Sequence, residues 1–243
     1  MQEDAKREGV QILVETAYVG KDERCVRTNH GSIEAGYVVN AAGLYADKIA
    51  LEYGFSQTYR ILPFKGLYLY SNEPPGSIRT NIYPVPDLRN PFLGVHFTIT
   101  ADGKAKIGPT AIPAFWRENY EGFGNFKLGE LIEVAGRGLG LLTGAQFDYR
   151  RLAVEEISKY SRSKMVSLAS VLAEGVAEKN YQKWGRPGIR AQLLDITKKK
   201  LEMDFVLEGD HHSMHVLNAV SPAFTCSVPF ASYVCDHIDT ALG

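Results

Sequence analysis

The chain has 243 residues, 45% hydrophobic and 23% charged, the make-up of a globular protein with one large or two modest domains. Its 27 lysines and arginines nearly balance 28 aspartates and glutamates, and a net charge of −1 lacks the basic footprint of a nucleic-acid binder. Three cysteines without a Cys-x-x-Cys pair point to a reducing, cytoplasmic setting, with peripheral membrane contact left open, since no apolar run reaches membrane-helix length.

Met1–Gly9 carries charges where a signal peptide needs an apolar core, and reads as the last turns of a helix closed by Gly9. Val10–Val14 and the stretch from Cys25 to Thr28 read as short strands, with Asn29-His30-Gly31 as a turn. The segment 35–43 reads as a buried strand that stops at Gly43 and passes into a helix from Leu44 to about Tyr53, capped by Gly54. Strand, glycine turn, helix is the layout of a nucleotide-binding α/β unit.

The middle changes character. Pro63–Tyr70 suggests one strand, while Asn81–Pro86 is too rich in proline for a central one. Phe92–Thr100 and Lys104–Gly108 around Asp102-Gly103 predict a hairpin, because Asp-Gly accepts the positive φ angles of a tight turn. From Leu128 to Gly175 the period lengthens to that of helices, with Asp148 and Ser161 as starts. Gly188–Asp195 and Met203–Leu207 suggest a second hairpin, and Met214–Asn218 a short strand. Ser221-Pro222 then predicts a final helix running to about His237, with serine as N-cap and proline in the first turn.

Chemistry-bearing motifs are few. His211-His212-x-x-His215 is the only histidine cluster, its doublet reads as a solvated loop, and no metal site is expected. There is no Gly-x-Ser-x-Gly, and Cys226 reads as a small buried hydrophobe rather than a nucleophile.

The stronger signal is spread along the chain. Val38-Val-Asn-Ala-Ala-Gly43 with Ala46-Asp47 resembles a nucleotide-contacting strand of D-amino-acid-oxidase-like flavoproteins. Pro63–Gly66, Asn81–Asp87 with Pro91–Thr98, Gly185–Gln192 and His215–Ala223 narrow the likeness to the L-2-hydroxyglutarate dehydrogenase/oxidase family. The resemblance implies a mixed α/β and α+β fold in two parts. Residues 1–54 and 185–243 would form part of an FAD-binding domain, and 55–184 a mixed-sheet substrate domain. It also implies oxidation of a 2-hydroxy acid, foremost L-2-hydroxyglutarate, by hydride transfer to flavin, with oxygen or a quinone as the electron acceptor.

In this reading Arg190 holds the substrate carboxylate, since a guanidinium binds carboxylates bidentately. His215 assists at the hydroxyl, with Lys65, Tyr83 and His96 as further pocket residues. Asn40, Ala41, Gly43, Asn218, Ser221, Pro222 and Ala223 would contact the cofactor, the last three through the positive end of a helix. Each has a plainer alternative: an ion-paired strand arginine, a solvent-facing lysine, a core tyrosine, a hydrogen-bonded histidine at a strand end, an ordinary capped helix.

One family element has no counterpart. The glycine-rich Gly-x-Gly-x-x-Gly that opens such cofactor domains is absent, and the nearest stretch, Gly136-Arg-Gly138-Leu-Gly140, continues with Leu141 in a helical region. Leu217 stands where relatives often carry arginine. The expectation is a truncated chain that begins within a helix and binds FAD incompletely, with a partner chain or a second copy covering the open surface. The alternatives are a non-catalytic, carboxylate-binding or partner-dependent module, and an enzyme acting on a glycine-like or glycerol-phosphate-like compound.

Overall fold

The computed structural model describes residues 1–85, 92–145, 149–220 and 224–243. A short helix, α1 (Gln2–Arg7), is followed by three strands, β1 (Tyr18–Lys21), β2 (Cys25–Thr28) and β3 (Gly31–Glu34), which form an antiparallel sheet. Next, β4 (Val38–Asn40) passes through a 3-10 turn, Gly43–Tyr45, into α2 (Ala46–Glu52). Gly54, at φ +91°, ends that helix in the left-handed conformation, with its N–H donating to Leu51 O.

The middle contains β5 (Tyr59–Gly66), β6 (Leu69–Tyr70), β7 (His96–Ile99), β8 (Ala105–Gly108) and β9 (Ile112–Pro113), then α3 (Leu128–Leu142), α4 (Tyr149–Ser158) and α5 (Arg162–Ser170). The last part has β10 (Lys183–Trp184), β11 (Gly188–Asp195), β12 (Lys200–Leu201), β13 (Val206–Gly209), β14 (Ser213–Asn218) and α6 (Ser227–Leu242). Three further sheets result, in the orders β10-β6-β8-β7, β12-β11-β5-β9 and β13-β14-β4.

Apolar alternation decides which faces meet. Leu62 and Phe64 of β5 pack with Val134 and Leu141 of α3 and Leu152 of α4. Leu69, Phe97, Ile107 and Met165 fill the space between the second sheet and α5. Ile61 and Leu193, on the other face of β5 and β11, meet Ala46 and Ala50 of α2 and Leu217 of β14. Each fully buried large side chain contributes about 1.5–3 kcal/mol through removal from water.

A buried ion pair ties these layers together. Arg117 and Asp47 are both fully buried, joined at 2.6 and 2.9 Å through the two guanidinium amino groups. Asp47 also accepts from the Ile61 N–H at 2.9 Å, and Arg117 donates to Leu44 O and to Glu133. Desolvation of two charges is offset here by a nearly complete set of hydrogen bonds. The pair fixes α2 and the turn before it against β5 and α3.

Several expectations are corrected. Val10–Val14 forms no strand; all five residues are exposed, Val14 at 71%, and the segment pairs with no described sheet. Pro63–Tyr70 is broken between two sheets: the Leu67 N–H goes to Thr110 Oγ1, and Thr110 N–H returns to Leu67 O. The hairpin at Asp102-Gly103 forms, but only Gly103 takes positive φ, at +78°, and the strands join through a longer loop closed by Thr100 N–H to Lys104 O. Met203–Leu207 does not return along β11; instead β13 pairs with β14. The strand before Gly43 has one neighbour and Val39 is 49% exposed, so it is an edge strand among the described residues. Ser161 does cap α5, accepting from Lys164 N–H at 3.4 Å, whereas Asp148 lies outside the described residues.

Candidate active site

Strands β4 and β14 run parallel, with Val38, Val39 and Asn40 opposite Ser213, Met214 and His215, so their carboxyl ends open on the same side. Crevices at that end of parallel strands are the usual ligand sites of α/β folds. A cleft of about 830 Å³ occupies this position. Ala41, Gly43, Leu217, Asn218 and Phe230 line it from the β4, β14 and α6 side. Tyr68, Tyr83, Phe92, His96, Arg190 and Gln192 line it from the middle sheets. Strand β12 covers only Leu194 and Asp195 of β11, which leaves the Arg190 end of that edge open to the cleft.

Arg190 stands opposite Phe64 in the β5–β11 register, with its guanidinium carbon 5.7 Å from the Phe92 ring centre. Burial draws its pKa below the usual guanidinium value, yet it remains a cation at physiological pH. Among the described residues no carboxylate lies within ion-pair distance of it. A desolvated, unpaired cation facing a cleft is costly unless an anion completes it.

His96 is buried in β7 and lines the same cleft. Its Nδ1 lies 2.9 Å from Gly94 O, so that nitrogen carries the proton and donates, leaving the Nε2 lone pair free. Burial holds its pKa below 6.5, opposed by the Gly94 bond and reinforced by the charges of Arg190 and Lys106. Tyr83 packs on the imidazole with ring centres 4.4 Å apart. The structure therefore brings Arg190, His96 and Tyr83 into one cleft, and Phe230 in the first turn of α6 faces it too.

Other expected residues are placed differently. His215 is fully buried, its Nδ1 3.0 Å from Asn40 Nδ2 and its Nε2 3.1 Å from Ser213 Oγ, with the Tyr53 and Phe55 rings each 5.0 Å away. Both ring nitrogens are occupied and it does not reach the cleft, so it cannot meet a substrate hydroxyl. Desolvation, the largest effect, takes its pKa down to about 4. Lys65 leaves β5 on the face opposite Arg190, under the influence of Glu121, and does not line the cleft.

Asn40 is buried and shapes the turn: its amide donates to Ala46 O, and its Oδ1 accepts from Ala42 N–H. Ala41 and Gly43 are thereby presented to the cleft, Gly43 at φ +54°, a conformation that favours glycine. Asn218 lines the cleft while its amide is bound to Glu202 O and Asp204 O. Ser221, Pro222 and Ala223 lie outside the described residues. The final helix begins at Ser227, after a turn at 224–226: Cys226 O accepts the first i+4 bond, from Phe230 N–H, and Pro229 sits in the first turn, where a missing N–H costs nothing.

Tyr68, Phe92 and Gln192 were not singled out from the sequence. Leu67-Tyr68-Leu69-Tyr70 did carry the signal for Tyr68, since both leucines are buried and the tyrosines turn away. Among the described residues no three histidine, cysteine, aspartate or glutamate side chains form a metal-binding group, and no helix is long and apolar enough to cross a membrane.

Residues 1–137 match the family model described as FAD dependent oxidoreductase. Curated relatives include L-2-hydroxyglutarate dehydrogenase, mitochondrial, of Homo sapiens, 37% identical over 220 residues, which cover 87% of this chain and 46% of the relative. The L-2-hydroxyglutarate dehydrogenase of Escherichia coli (strain K12) is 30% identical over 240 residues, 96% of this chain and 56% of the relative. The chain thus spans about half the length of the curated relatives it matches. Among solved structures, the L-alpha-glycerophosphate oxidase of Mycoplasma pneumoniae with FAD bound aligns with TM-score 0.62 at 17% identity, covering 98% of this chain and 53% of that one. Glycine oxidase of Bacillus cereus aligns with TM-score 0.57 at 14% identity, with 98% and 53% covered. These two likenesses concern the fold.

Proposed function

The chain belongs to the FAD dependent oxidoreductase family, and from that premise we propose that its cleft is the substrate side of a 2-hydroxy acid dehydrogenase or oxidase, with L-2-hydroxyglutarate the foremost substrate. The observation that carries the reading is Arg190: a desolvated guanidinium, without an acidic partner among the described residues, at a cleft beside the carboxyl ends of β4 and β14. The names of the curated relatives supply the substrate.

The residues fit the ring end of the cofactor. The cleft is walled by backbone at Ala41 and Gly43 and by apolar Leu217 and Phe230, and an added Cβ on Gly43 would meet nothing within 4 Å. The dinucleotide end finds no glycine-rich motif in the sequence. In this reading Ala41, Gly43 and Asn218 would border the flavin, which when bound accepts the hydride from the substrate α-carbon. A partner chain or a second copy would extend the sheet at the open edge of β4, and oxygen or a quinone would be the final acceptor.

The protein's own part is positioning and proton transfer. Arg190 takes the α-carboxylate in a bidentate grip. His96, neutral at pH 7 and protonated on Nδ1, offers Nε2 to the hydroxyl proton as the alcohol becomes a ketone. Tyr68, Tyr83 and Phe92 restrict water around both groups. Residues 55–184 act as the substrate part and the flanking segments as the cofactor part.

Calorimetric titration with 2-oxoglutarate, the corresponding product, tests the reading. Arg190→Ala should weaken binding roughly 10- to 150-fold, the worth of a charge-assisted hydrogen bond. An unchanged Kd removes Arg190 from the site. The missing glycine motif also favours a second reading, a carboxylate-binding module without turnover. That reading predicts 2-oxoglutarate binding with no flavin absorbance after incubation with FAD.

A further inference from the structure

We propose that Lys106 makes the cleft selective for dicarboxylates, receiving the carboxylate at the end of the substrate remote from Arg190. The inference rests on the carboxylate reading above and adds a residue to it. Its basis is strand geometry. In β8, Ala105 and Ile107 are buried in the core beneath α5, so Lys106 between them must leave the sheet on the opposite face. Register places it directly across from Tyr70 on one side and Thr98 on the other. His96 stands opposite Gly108, two residues along β8 and on the same face.

Lys106 does not itself line the cleft, but its half-buried ammonium stands directly behind a residue that does. Its Nζ lies 4.3 Å from the ring centre of Tyr68, which lines the cleft, and 5.8 Å from that of Tyr70. Nearby Lys104 has Asp102 as an ion partner, whereas among the described residues Lys106 has none. Burial lowers its pKa, and its charge, like that of Arg190, acts on His96. Tyr68 is similarly related to both cations: it touches Lys106 and lies in the field of Arg190.

Arg190 thus lines the cleft and Lys106 stands behind its Tyr68 wall, neither with an acidic partner among the described residues, and Tyr68 and His96 lie in the field of both charges. One carboxylate neutralises Arg190 and leaves Lys106 unanswered. A linear dicarboxylate satisfies both, and the hydroxyl-bearing carbon next to its first carboxylate then falls beside His96. The competing role for Lys106 is a cation–π strap that stiffens Tyr68 and Tyr70.

Two ligands with the same 2-oxo acid head separate these roles: 2-oxoglutarate has the second carboxylate and 2-oxobutyrate lacks it. The full chain should bind 2-oxoglutarate roughly tenfold more tightly, an advantage that shrinks as salt screens the remote charge. Lys106→Met keeps the stem and removes the charge. It should abolish the preference while leaving 2-oxobutyrate affinity within about twofold, and Lys106→Arg should restore it. Equal weakening of both ligands, or a preference that survives Lys106→Met, overturns the proposal. Arg190→Ala tests the parent reading separately, since it should weaken both ligands alike. If it weakens neither, the carboxylate reading fails and this inference fails with it. If Arg190→Ala weakens both but Lys106→Met leaves the preference intact, only the role of Lys106 is lost.

Discussion

His215 offers the sharpest test of how this molecule is assembled, because its burial has a pH signature. In the unfolded chain its pKa is about 6.5, and in the folded protein it falls to about 4. Between those values the unfolded chain binds the extra proton and the folded one does not, so stability falls as pH drops. The contribution is fully present above the unfolded pKa, declines from about pH 6.5 and is gone below about pH 4. The fall from about 6.5 to about 4 corresponds to roughly 3 kcal/mol, which in a chain of this size moves Tm by roughly 6–12 °C. Urea denaturation of the protein and of His215→Phe at several pH values isolates the effect. The difference between the two stability curves should slope between pH 6.5 and 4 and be flat above pH 7. The imidazole protons of His215 should also stay at neutral chemical shifts down to about pH 5. Titration near 6.5 would mean a solvated imidazole, which would refute the packed arrangement with Asn40, Ser213, Tyr53 and Phe55 and return His215 to the candidate bases.

Two other predictions concern what holds the cleft together. Asp47→Leu leaves Arg117 buried without its principal partner and should cost about 3–5 kcal/mol, Arg117→Met strands Asp47 in the same way, and the double replacement Asp47→Leu/Arg117→Met should cost far less than the sum of the two. Denaturant midpoints for the four chains give the coupling, and additive costs would refute the clamp. Phe97→Ala, at a fully buried position between β7 and α5, should lose about 3–5 kcal/mol by the same assay. A loss below about 1 kcal/mol would show that this layer is not packed as described.

How much was legible in the sequence depended on the range of the interaction. The stop at Gly54, the Ser161 cap and the hairpin near Asp102-Gly103 are set within a few residues by backbone sterics and local hydrogen bonds, and each forms where the sequence indicated. Helical spacing after Leu128 likewise survives in α3, α4 and α5. Alternation also contained Tyr68 and Lys106, but a period of two shows that a side chain leaves a face without showing what that face meets.

The rest was decided by tertiary structure. The sequence favours His215 over His96 as the group at the hydroxyl; β14 carries His215 into a closed cage beside Asn40, and β7 carries His96 to an open cleft. Lys65 and Arg190 lie on neighbouring strands yet leave opposite faces, because their registers differ by one residue. Thr110, 43 positions away, takes the Leu67 N–H and so divides one apparent strand between two sheets. The sequence alone determined the caps and turns that close within a few residues, and the family, since these depend on residue type and order. Which charges face solvent, a partner or a substrate depends on long-range pairing, and there desolvation by distant segments, not the identity of the residue, sets the chemistry.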